Sequence, residues 1–163
     1  CVWPSIITFD MSKLLPIIHE PNLVLRTPSK EIDLVKWGKA ELEKLAQDMV
    51  HTMKNAPGVG LAAPQIGQSL RLIIVERAPK PLVLINPEIV SHSLRRHILE
   101  EGCLSVLGKY GLIKRWRSVK VRAQTLDGQP FEITAQGFLA QIFQHEIDHL
   151  NGILYIDKAI KFL

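Results

Sequence analysis

The sequence predicts an α+β fold, with small antiparallel or mixed sheets packed around a central, buried C-terminal helix. Two observations carry this. Short apolar runs closed by turn residues follow one another as hairpins do, rather than alternating with helices. The segment 137–150 holds Phe138, Leu139, Ile142, Phe143, Ile147 and Leu150, so it reads as a helix that is apolar nearly all round and therefore buried. Size fits one domain over residues 11–163: the chain has 163 residues, 47% hydrophobic and 22% charged, enough for a packed core.

In chain order, residues 1–10 contain Trp3, Ile6, Ile7 and Phe9 but no Lys or Arg. They lack the basic flank of a targeting signal and read as an extension or an artificial remnant before Met11. Residues 17–29 are punctuated by Pro21 and Pro28 and read as an irregular lead-in. Leu42, Leu45, Ala46, Met49, Val50 and Met53 recur at helical spacing and predict a helix over 40–54. Asn55-Ala56-Pro57-Gly58 stops it. Strands are predicted at 70–75 and 81–85, rich in Leu, Ile and Val. Val119 and Val121 alternate with Lys120 and Arg122 as in a half-buried strand. Asp127-Gly128 signals a hairpin turn, with the return strand at 131–134.

Charge and cysteine content narrow the function. The formal net charge is +4, and Arg95, Arg96, Lys109, Lys114, Arg115, Arg117, Lys120 and Arg122 crowd one stretch. Tyr110 and Trp116 are too few to make a base-stacking platform there. The stretch reads as a solvated rim around a hairpin, without direct nucleic-acid recognition. No apolar run is long enough to cross a bilayer. The two cysteines, Cys1 and Cys103, make no disulfide framework, which points to a reducing, cytoplasmic setting.

The chemistry concentrates at His145-Glu146-Ile147-Asp148-His149. Two histidines four apart share one helix face and can reach one cation, while the intervening Glu is placed to move a proton. Phe138, Ile142, His145 and His149 follow one helical stripe, so both imidazoles are expected among buried apolar residues. A catalytic site of the zinc type needs a third protein ligand. Tyr155 stands where a metzincin-type protease would have its third His, and no Glu follows Glu146. The ligand is therefore sought upstream, among Cys103, His97, His92, His51, His19, Glu100 and Glu101. Cys103 stands out, because a thiolate is a strong ligand for zinc or ferrous iron.

Three segments now stand in order: Gly58-Val59-Gly60-Leu61-Ala62-Ala63-Pro64-Gln65-Ile66-Gly67, then Glu101-Gly102-Cys103-Leu104-Ser105, then Gln144-His145-Glu146-Ile147-Asp148-His149. Together they resemble the signature motifs of the peptide deformylases, and the resemblance runs from about Leu15 to Asp157. It implies metal-dependent removal of the N-formyl group from the starting methionine of nascent polypeptides, with release of formate. It implies Cys103, His145 and His149 as metal ligands, with ferrous iron native and zinc, nickel or cobalt able to substitute. It gives Glu146, Gln65 and Leu104 catalytic roles. Val59, Gly60, Leu99, Gly102, Phe138 and Ile142 would bind substrate, with Gln141 at the edge of the methionine pocket. The implied partners are N-formyl-methionyl nascent peptides and, transiently, the ribosome, although the run after His149 is shorter than the C-terminal helix of many members. Leu107 and Lys114 stand where prolines are common in the family. The competing readings are a metallopeptidase cleaving internal bonds and a non-catalytic relative.

Overall fold

Helix α1, Lys39–Asn55, buries Leu42, Ala46, Met49 and Met53 on one stripe, as the helical spacing predicts. The stripe packs on Leu61, Ile66, Leu72, Ile74 and Ile85. The computed structural model describes residues 12–163; the expected extension at 1–10, and Met11, lie outside it. Residues just before the lead-in are tied to α1 by polar groups. Lys13 N donates to Asp48 Oδ1 at 2.8 Å and Leu15 N to Thr52 Oγ1 at 2.9 Å. The one regular piece of the lead-in is the 3-10 turn Leu23–Arg26, which sinks Leu25 fully into a separate cluster with Val106, Ile113, Leu154 and Tyr155.

Among the described residues there are two antiparallel sheets. The first has the order β1-β2-β3-β6-β7, built from β1 (Gly60–Ala62), β2 (Leu72–Val75), β3 (Leu82–His92), β6 (Ser118–Gln124) and β7 (Pro130–Gln136). The second has the order β4-β5-β8, built from β4 (Arg96–Cys103), β5 (Val106–Trp116) and β8 (Ala159–Phe162). The expected hairpin at Asp127-Gly128 joins β6 to β7, and Gly128 takes φ +78° as the tight turn requires. Helix α2, Gly137–Leu150, packs against strands of both sheets. Its Ala140, Phe143, Ile147 and Leu150 join Ile73, Val75, Leu84, Val119 and Val121 in the main core.

Two expectations need correction. The stripe through Phe138 is not buried throughout: Phe138 is 63% exposed, because this face of α2 turns toward an open cleft rather than the core. The basic stretch is not a solvated rim throughout either. Arg115 is only 3% exposed, because the pleat of β5 turns residues 111, 113 and 115 to the inner face.

Gly152 shows how tightly α2 is closed off. It has φ +73°, and a Cβ there would lie 2.6 Å from the Arg26 carbonyl oxygen. Gly152→Ala is expected to cost about 2–3 kcal/mol, combining left-handed strain and a backbone clash; denaturant titration measures it, and a change below about 0.5 kcal/mol would contradict this account.

Candidate active site and metal centre

A cleft of about 410 Å³ opens between β1, the β4–β5 connection and α2. Each part arrives there for a local reason. Cys103 ends β4, and Leu104-Ser105 form a two-residue connection before Val106, which pairs back with Cys103. His145 and His149 sit one helical turn apart on α2, and their rings meet edge to face with centroids 5.0 Å apart. The ligand atoms of Cys103, His145 and His149 all lie within 4.8 Å of one another, with Cys103 Sγ 3.3 Å from His149 Nε2. The other upstream candidates stay out of this group. His92, for example, stacks on Trp116 at 3.8 Å.

Glu101, once a candidate ligand, takes a different part. Its Oε2 lies 2.9 Å from His145 Nδ1, while Arg115 Nε and Nη2 donate to its two oxygens at 2.7 and 2.8 Å. Burial alone would raise the Glu101 carboxyl, but the hydrogen bonds from Arg115 and His145 outweigh it and hold it at about 2. An ionised carboxylate only accepts, so the proton of neutral His145 sits on Nδ1 and Nε2 is left bare for a cation. Arg115 also donates to Asp148 from Nη1, and Lys158 Nζ donates to both Asp148 oxygens at 2.7 Å. Residue types alone do not assign these roles to Glu101, Arg115 and Asp148. One signal was available: residues 101 and 103 lie on the same face of a strand.

The donor set fits a divalent cation. One sulfur and two imidazoles converge at a single point, the chemistry that suits zinc or ferrous iron. Titration behaviour agrees. Burial would lower His145, yet the Cys103 sulfur and Glu101 raise it well above the ordinary histidine range. Burial and then the charge of His145 push His149 well below that range. Metal binding at such a donor set releases protons, so occupancy should rise with pH.

Glu146 is 4% exposed and lines the same cleft. Burial pushes its carboxyl up to about 7, against a lowering effect of His145. Its Oε2 has no hydrogen-bond partner among the described residues. Gly60 makes room for it: a Cβ there would collide with Glu146 Oε1 and lie 2.8 Å from its Cδ. Gln65 is placed by the 3-10 turn Ala63–Ile66. Its Oε1 accepts from Ala62 N at 2.9 Å, and its Nε2 donates to Ser105 Oγ at 3.2 Å and lies 3.5 Å from Cys103 Sγ. Ser105, fully buried, is a further polar neighbour that the motif reading passed over. Leu104, Val59, Gly60, Gly102, Phe138, Ile142 and Gln141 all line the cleft. Leu99 is half-buried in β4 and is not among the lining residues.

Comparison with known proteins agrees with this geometry. The model of the family described as polypeptide deformylase matches residues 14–162. A peptide deformylase of Mesorhizobium japonicum is 46% identical over 151 residues, covering 90% of this chain and 84% of that protein. One from Dictyoglomus thermophilum is 44% identical over 138 residues, covering 85% and 88%. The crystal structure of peptide deformylase from Thermotoga maritima superposes with a TM-score of 0.86 at 37% identity, covering 91% of this chain and 99% of that one. A Met-Ala-Ser-bound class I type b peptide deformylase from Acinetobacter baumannii gives 0.86 at 39% identity, with the same coverage. The chain belongs to the polypeptide deformylase family.

Proposed function

We propose that this cleft removes the formyl group from the N-terminal formyl-methionine of newly made polypeptides and releases formate. The observation that carries this reading is the meeting of Cys103, His145 and His149 in one cleft with Glu146 and Gln65. These three would hold one divalent cation, ferrous iron in the native state, with zinc, nickel or cobalt as substitutes. Such a cation supplies Lewis acidity, which brings the ionisation of water down toward neutral pH.

The chain's own groups do the rest. Strand β1 is the edge of its sheet, so its free side can pair with an extended peptide as an added strand. Val59, Phe138 and Ile142 give the methionine side chain apolar surface, and Gly60 and Gly102 line the same cleft. Glu146, near 7, accepts the proton of the attacking water and passes it to the leaving amine. Negative charge grows on the formyl oxygen as the tetrahedral species forms. The Gln65 amide and the Leu104 backbone N–H donate to it, each donor typically worth about 3 kcal/mol of barrier. The substrate is a nascent chain, so the enzyme works in the cytoplasm with transient access to the ribosome.

The test is formate release by anaerobically purified, iron-loaded protein. Formyl-Met-Ala-Ser should yield formate and Met-Ala-Ser, and an unformylated peptide should remain intact. Internal cleavage of the second peptide without formate from the first would instead favour a metallopeptidase.

A further inference from the structure

The pairing of β4 with β5 is uneven in a way the proposed chemistry does not require. Cys103 pairs with Val106 and Glu101 with Gly111. Leu107, Gly108, Lys109 and Tyr110 are therefore left opposite Gly102 alone. This four-residue bulge lines the cleft. Gly108 takes φ +69° to make it, and Tyr110 folds back so closely that a Cβ on Gly102 would lie 2.7 Å from its Cε1. The bulge backbone is pinned from behind. Tyr155 Oη donates to the Lys109 carbonyl at 2.7 Å, and Leu163 N donates to the Tyr110 carbonyl at 3.0 Å.

We infer that Lys109 is a specificity-determining residue that favours an acidic side chain at the third position of the substrate, counting formyl-methionine as the first. This rests on the deformylase reading of the cleft. Lys109 is the only Lys or Arg among the described residues that line the cleft. It is exposed, and no Asp or Glu occurs in the sequence from residue 102 to 126. Of the acidic groups on the lining, Glu101 is engaged by Arg115 and His145 and Glu146 lies at the formyl end. Glu100 is exposed on β4, with its backbone carbonyl accepting from Gln141 at 2.9 Å.

Reach sets the position. Lys109 is three residues beyond Val106, which pairs with Cys103, so at about 3.3 Å per residue it stands at most ~10 Å downstream. An extended peptide leaving the reacting centre covers the same span in three residues. Tyr155 holds the Lys109 backbone carbonyl, which fixes the root of the side chain beside the cleft.

The test compares formyl-Met-Ala-Glu-amide, formyl-Met-Ala-Gln-amide and formyl-Met-Ala-Lys-amide on the metal-loaded protein at low ionic strength. The expected kcat/KM ratio of the Glu over the Lys peptide is about fivefold, the size of one solvent-exposed charge pair, and it should shrink in high salt. Lys109→Gln should bring the ratio close to one, and Lys109→Glu should invert it. Ratios within one preparation are insensitive to how much of a variant folds. A ratio near one in the parent protein, or one unchanged in Lys109→Glu, overturns the inference. Absence of formate from all three peptides strikes the deformylase reading itself, a result distinguishable from equal turnover of the three.

Discussion

Glu146→Gln is expected to lower kcat by about a thousandfold or more, near the upper part of the range for a lost general acid–base, while metal content stays at the parent level. The amide has the size of the carboxylate but no lone pair basic enough to take a proton from water. Nothing else in the cleft replaces it. Glu101 is held at about 2, far too acidic to accept a proton near neutral pH, and it faces Arg115 and His145. Metal retention is expected because the convergent donor group is Cys103, His145 and His149, and Glu146 is not among them. Elemental analysis beside single-turnover formate release separates the two effects. Loss of the metal in the variant would make Glu146 a ligand and contradict its role, and near-parent kcat would remove it from the proton path. Activity that depends on the ionised carboxylate should also fall toward acid pH.

What the sequence makes legible follows from which signals are local. His145 and His149 are four apart, and helix geometry alone puts them on one face. The fold class follows from short apolar runs and one helix with an apolar majority. Cys103 is not separable from His97 or Glu101 by spacing, because the fold that brings it to α2 is long-range. The hairpin β4–β5 is harder still. Its inner face carries Glu101 and Arg115, so the apolar–polar alternation that marks a half-buried strand is broken where the strand matters most. Arg115 reads as one more cation in a basic run, and only pleat direction and pairing reveal it as the residue against Glu101 and Asp148. The exposure of Phe138 has the converse cause. An apolar side chain on a helix reads as core, but here it faces a cleft suited to an apolar substrate group. Strand β8 carries no signal, since Ala159–Phe162 is four residues long and gains its structure from the edge of β5.

Arg115→Met is expected to destabilise the protein by about 3–5 kcal/mol, because removing one partner of a buried ion pair strands the others. The guanidinium is 3% exposed along its side chain and holds Glu101, equally buried, together with Asp148. Asp148 keeps Lys158, but Glu101 is left with His145 and a long 3.5 Å hydrogen bond from the neutral Gln141 amide. Arg115→Lys should not rescue, since a point charge cannot hold two oxygens of Glu101 in a fork and reach Asp148 as well. The acid limb of stability supplies an independent reading. Glu101 moves from an ordinary 4.5 down to about 2 in the folded protein, so its depressed value contributes stability that is fully present above pH 4.5 and is lost as pH falls through 2. At 1.36 kcal/mol per pH unit this is about 3 kcal/mol. In Arg115→Met, burial raises the Glu101 carboxyl, and that acid-sensitive window should narrow and shift upward. Urea titrations from pH 2 to 7 test this, and parallel curves for the parent and the variant would sink it. The double variant Glu101→Gln with Arg115→Met distinguishes stability from function. It should recover part of the lost stability, because no buried charge is stranded at residue 101. It should still bind metal about 10–100-fold more weakly, because the carboxylate that orients His145 is gone. Full recovery of metal affinity in that variant would show that the Glu101–Arg115 pair serves the fold alone.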